Sequence, residues 1–143
     1  MKPPIPVAVV LALGLAVAAF SAGCSKDSAD AKNVNVSAMT QALQGSDKDA
    51  RINACVELGK VGPKAAPAVP ALIALLKDSD PTVRRLAAYV LGEIGPQAKA
   101  ALPALKEIAN DPDRQVVMQV VNSLRSIDPQ NYSGMKSVNV SSP

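Results

Sequence analysis

Asp80-Pro-Thr-Val-Arg-Arg-Leu-Ala-Ala-Tyr-Val-Leu-Gly-Glu-Ile-Gly95 decides how the rest of the chain is read. Asp80 is a residue that caps helix N-termini, and Pro81 occupies the first helical position, where a missing N–H costs nothing. Val83, Leu86, Ala87, Val90, Leu91 and Ile94 recur in steps of three and one, which is one face of a helix. Gly95-Pro96 ends it, because glycine accepts a backbone conformation with positive φ and proline cannot continue the ladder. Beyond this stop, Pro103 opens a second helix carrying Ala104, Leu105, Ile108 and Ala109, and Asn110-Asp111-Pro112 closes the unit.

The unit repeats with a period of 33. Asp47 falls on Asp80, Arg51 on Arg84, Leu58-Gly59 on Leu91-Gly92, Gly62-Pro63 on Gly95-Pro96 and Asp78 on Asp111. Over the 32 pairs from 47/80 to 78/111, 13 are identical without a gap, so the register is secure. A third copy begins at Asp113 and carries Val116, Leu124 and Ile127 in the same positions. Neither helix of a unit can bury its face alone, so the copies must stack into a solenoid. The expected organisation is a leading half-repeat over 37–45, repeats over 46–78, 79–111 and 112–129, about five helices in all, and an all-α fold. Leu58, Leu91 and Leu124 are expected at equivalent core positions. Departures fall at the ends: Asn53 and Glu57 stand where the central copy has Leu86 and Val90, and Val117 replaces Arg51 and Arg84.

These residues resemble the bacterial HEAT-like repeats first grouped with phycobilisome lyases, over roughly 37–129. The resemblance implies a short right-handed superhelix of antiparallel helix pairs, with protein binding as the usual role. It also implies that Asp47/Arg51 and Asp80/Arg84 bond to neighbouring turns in a structural ladder. Hydroxylase relatives hold iron through His-Glu pairs, and a chain without histidine excludes that activity. Chromophore lyases of the family are longer and work as paired subunits, which argues against that role for two and a half repeats.

Before the repeats, Lys2 and the 14-residue apolar run Val7–Phe20 form an export signal, shorter than the roughly 20 residues of a spanning helix. Ser21-Ala22-Gly23-Cys24 resembles a bacterial lipobox, with Ser21 where the family has leucine. The resemblance implies a signal peptide over 1–23 and a lipid-anchored Cys24 in the cell envelope. Ser25 after the cysteine favours the periplasm-facing outer membrane in enterobacteria-like sorting. Cleavage near Ser21 to give a secreted or periplasmic protein, and an uncleaved anchor over Ile5–Ala22, stay open. Residues 24–36 and 130–143 mix small and polar types without periodicity and read as flexible segments.

Composition removes most chemistry. Without histidine there is no serine–histidine or cysteine–histidine pair and no imidazole acid or base. Lys+Arg 15 against Asp+Glu 12 gives +3, too small and scattered for nucleic acid. With Cys24 lipidated, Cys55 is left alone on an apolar helix face, where a buried small hydrophobe is the default. Asp78/Asp80 and Asp111/Asp113 are turn and cap residues with too few oxygens at too wide a spacing for calcium. No catalytic residue, metal or cofactor is expected.

Two function classes remain: a non-enzymatic, lipid-anchored adaptor for a protein partner, or an accessory of the lyase or chaperone type that loads a cofactor onto another protein. The second needs a reactive group, and only Cys55 is available. For the adaptor, taken as a monomer, the candidate surface is Arg85, Tyr89 and Glu93 at i, i+4 and i+8, off the Leu86/Val90/Ile94 face. Stacking puts Ile52, Arg85 and Met118 in one row and Val56, Tyr89 and Asn122 in the next. Arg, Tyr and Met are enriched at interfaces. The competing expectation buries Ile52 and Val56 beneath the leading half-repeat and leaves Tyr89 as an isolated exposed aromatic.

Overall fold

The computed structural model describes residues 35–134. The signal peptide, Cys24, most of the expected tether and the tail beyond 134 lie outside the described residues. Among the described residues seven α-helices follow one another: α1 Val36–Leu43, α2 Lys48–Val61, α3 Val69–Leu75, α4 Pro81–Ile94, α5 Leu102–Glu107, α6 Arg114–Ile127 and α7 Pro129–Tyr132. No strand occurs among the described residues. The fold is an all-α solenoid in which α4 packs between α2 and α6, while α3 lies against α4 and α5 against α6. α1 covers α2 and α3 at the first end, and α7 packs on α6 at the other.

The three long helices start in the same way. Asp47, Asp80 and Asp113 take extended backbone angles and accept hydrogen bonds from Asp49 N (3.1 Å), Thr82 N (2.8 Å) and Gln115 N (2.7 Å). Each cap contributes about 1 kcal/mol. Gly62 and Gly95 stop α2 and α4 with φ of 56° and 69°, a region open to glycine and strained for other residues. The third copy has Asp128 here, at φ −141°, and Asp128 instead caps α7 by accepting from Asn131 N.

The second helices are shorter than the apolar pattern suggests. Gly62–Ala68 and Gly95–Ala101 are 3-10 segments that run into α3 and α5, and Ile108–Asn110 is a third. Pro63, Pro67 and Pro70 in the first copy remove donors from the α-helical ladder, which favours short, tighter turns at this point. Two boundaries move: α1 begins at Val36, capped by Asn35, inside the expected tether. Pro129–Tyr132 is helical where a flexible tail was expected; Tyr132 packs against the core, with Lys106 Nζ 5.4 Å from its ring centroid.

Leu58, Leu91 and Leu124 are buried at equivalent positions, with Val83, Ala87, Val90 and Ile94 around the central one. Leu86 is only half-buried, whereas Ala88, which the sequence periodicity leaves out, is fully buried. Helix α6 covers that flank of α4: the Ser123 hydroxyl donates to the Ala88 carbonyl at 2.6 Å.

Candidate functional site

Between the units runs a line of charged bonds. Arg84 reaches Asp111 in the next inter-unit turn through Nε–Oδ2 at 2.8 Å and Nη2–Oδ1 at 2.9 Å, and Nη1 donates to the carbonyls of Asp78 (2.8 Å) and Ser79 (3.1 Å). Arg51 makes a poorer version: its Nε lies 3.1 Å from Asp78 Oδ2 without hydrogen-bond alignment, and Nη1 donates to Gly45 O at 2.8 Å. Asp78 and Asp111 are thus the acceptors, each also taking the backbone N–H of residue 80 or 113. Sequence reading assigned them only turn roles; their identity across the 33-residue shift was the available signal. Asp80 adds an ion pair with Lys48 of the preceding unit at 3.2 Å. The hydrogen bond from Arg84 holds the Asp111 carboxyl below the usual carboxylate range, and the Lys48 bond does the same for Asp80. These charges are committed to one another.

Cys55 is fully buried on α2, and desolvation, with a smaller push from the Asp78 charge, raises its thiol to about 12. A thiol so held has almost no thiolate at neutral pH and is a poor nucleophile. Among the described residues, no three acidic or cysteine side chains converge on a point that could hold a metal ion.

The candidate partner-binding residues lie on the outer side of α2, α4 and α6. Val56, Tyr89 and Met118 are the large apolar side chains exposed among the described residues, at 40%, 38% and 50%. Burial of Val56 beneath the leading half-repeat is therefore corrected: Ile52 is half-buried against the core, but Val56 is exposed. Arg85 is half-buried and donates from Nη1 to Gln115 Oε1 at 2.7 Å, a neutral partner. With Leu86, Tyr89 and Gln119 it lines a shallow groove of about 270 Å³. Glu93 is exposed one turn beyond Tyr89 and, like Arg85, makes no ion pair among the described residues. A second groove, of about 360 Å³, between Val36, Ser37, Thr40, Gln41 and Pro67 contains no charged group to orient a ligand.

Glycines set how closely the long helices approach. A Cβ on Gly59 would stand 2.9 Å from Tyr89 Cε1, so the tyrosine ring lies across the bare backbone of α2. A Cβ on Gly92 would meet Ser123 Oγ at 3.0 Å and Ser123 Cα at 3.2 Å. Ser123, buried at an apolar repeat position, was missed by sequence reading; its polar type at the register of Val90 was the clue. In the third copy the glycine register is filled by Arg125, so no further junction of this kind follows.

No curated protein matches the sequence. A family model described as HEAT repeats matches residues 36–127, the stretch that contains α1 to α6 and every junction described above, and the chain belongs to the HEAT-repeat family.

Proposed function

We propose that this protein is a non-enzymatic protein–protein interaction module, anchored in the bacterial cell envelope by lipid on Cys24 and binding a protein through the α2–α4–α6 face. HEAT repeats generally mediate protein–protein interaction. The observation that carries the site is the coincidence of Val56, Tyr89 and Met118 on one face beside Arg85. Exposed aromatic, Met and Arg side chains around a groove are the composition of interface hot spots. The accessory-enzyme reading lacks support, because Cys55 is buried with its thiol near 12.

The test is a pull-down from detergent-solubilised envelope with the full chain and with Arg85→Ala/Tyr89→Ala. The double variant keeps its helical circular-dichroism spectrum and loses the captured protein; because Tyr89 also packs on Gly59 and Arg85 bonds Gln115, its melt falls by about 1 kcal/mol. Unchanged capture sinks the assigned face. Anchoring is read separately by mass spectrometry of the mature N-terminal peptide, where an unmodified peptide beginning at Ala22 overturns lipidation of Cys24.

A further inference from the structure

Arg85, Tyr89 and Glu93 stand on α4 as cation, aromatic and anion, one turn apart, so about 6 Å separates each from the next along the helix. The cation donates its side-chain hydrogen bond to the neutral Gln115, and neither it nor the anion makes an ion pair among the described residues. Arg51, Arg84, Lys48, Lys60 and Lys77 are paired with carboxylates, whereas Lys64, Lys99, Lys106, Arg114 and Arg125, like Arg85, make no ion pair among the described residues. What sets Arg85 and Glu93 apart is their placement: opposite in sign, on one helix, and four residues to either side of an exposed aromatic ring.

Such a strip is complementary to itself. A two-fold axis crossing α4 at Tyr89 sets two copies of the helix antiparallel. Tyr89 then meets Tyr89 of the partner copy, Arg85 meets Glu93, and Glu93 meets Arg85. An isologous interface demands this reciprocity: residue i contacts j, and j contacts i. The same operation leaves the flanking helices facing their own equivalents. Val56, in the register of Tyr89, lies on the axis against Val56 of the second copy, and Met118 covers the level of Ser126. On α2 and α4 the apolar Val56 and Tyr89 fall at the centre, with Asn122 beside them on α6, and the Arg85 and Glu93 charges lie towards the edge. We infer that the occupant of this face is a second copy of the chain, in an antiparallel α4–α4 dimer closed by two Arg85–Glu93 ion pairs. This rests on the proposed binding face and names its partner.

Charge reversal tests it on the full chain in detergent, with oligomeric state read by light scattering and native mass spectrometry. Wild type dimerises with rising concentration. Arg85→Glu or Glu93→Arg alone places two like-charge pairs across the axis and weakens the dimer by more than about tenfold. Arg85→Glu/Glu93→Arg in one chain restores it, because the pairs re-form with signs exchanged. An equimolar mixture of the two single variants gives a mixed dimer while neither forms its own. The mixed dimer also shows that both single variants are folded. A wild-type chain that stays monomeric to millimolar concentration overturns the inference, as does a dimer indifferent to these changes or one that the double exchange fails to restore. Should the chain be monomeric while Arg85→Ala/Tyr89→Ala still releases an envelope protein, the binding face stands and only its self-association falls.

Discussion

The junction of α2 with α4 is closed by a side chain, and the junction of α4 with α6 by backbone. At the first, Tyr89 lies across Gly59, and the arginine of the unit, Arg51, meets Asp78 off-line. At the second, Ser123 brings its own Cα against Gly92, its hydroxyl is tied to the Ala88 carbonyl, and Arg84 holds Asp111 with two aligned bonds. The two junctions descend from one repeat and differ in how much each can yield. A ring at the end of a rotatable bond moves at small cost, whereas a packed backbone moves only with its helix. The more yielding junction exposes Val56 and Tyr89, whereas the groove beside Arg85 and the exposed Met118 belong to the tighter α4–α6 junction, so the candidate face spans both.

The largest effect expected from testing this contrast is in the core. Leu91→Ala, in the unit with neighbours on both sides, costs about 3–5 kcal/mol in a urea or thermal melt followed by circular dichroism. Leu124→Ala costs about 2 kcal/mol, because a terminal repeat has a neighbour on one side only. If Leu124 proves the more damaging, the order of stacking is wrong.

The ion pairs come next. Asp111→Ala leaves the half-buried Arg84 without its carboxylate and costs about 2–3 kcal/mol, whereas Asp78→Ala costs about 1 kcal/mol because Arg51 loses a poorly aligned contact. Both changes remove the same backbone bond to residue 113 or 80, so the difference isolates the arginine. The pH dependence has a definite sign. The folded-state pKa of Asp111 is depressed, so its contribution is fully present above the unfolded value of about 3.9 and is lost as pH falls through the lower folded value. Asp111→Asn is therefore expected to destabilise the protein at neutral pH and to flatten its acid limb. A parallel acid limb in the variant contradicts the pairing.

The smallest effects separate ring from backbone directly. Gly92→Ala drives a methyl group towards Ser123 Cα and costs about 1–2 kcal/mol net, after the roughly 1 kcal/mol that alanine gains over glycine within a helix. Gly59→Ala is nearly neutral: the Tyr89 ring swings away and the same helical gain compensates. Equal costs at the two glycines in a chemical melt show that the first junction is as rigid as the second.

Much of this architecture was legible without coordinates. The 33-residue period, the Asp caps, the glycine–proline stops and the buried leucines depend on residues close in sequence, where hydrogen bonding and the 3.6-residue helical repeat act locally. The second helices were less legible, since prolines near their starts divide each between 3-10 and α geometry. On the candidate face, the sequence placed Arg85, Tyr89 and Glu93 on one side of α4 but left Val56 open between burial and exposure.

By itself the sequence determined an all-α repeat with three capped long helices and one core leucine in each. Tertiary structure alone decided that Ala88 is buried and Leu86 only half so, that Arg84 finds Asp111 across 27 residues of chain, and that Val56 is exposed while Ile52 is half-buried. The reason is the distance between helix axes. It depends on the sizes of side chains facing each other from different units, glycine against tyrosine at one junction and glycine against serine at the other, and a period within one helix carries no record of what the neighbouring helix presents.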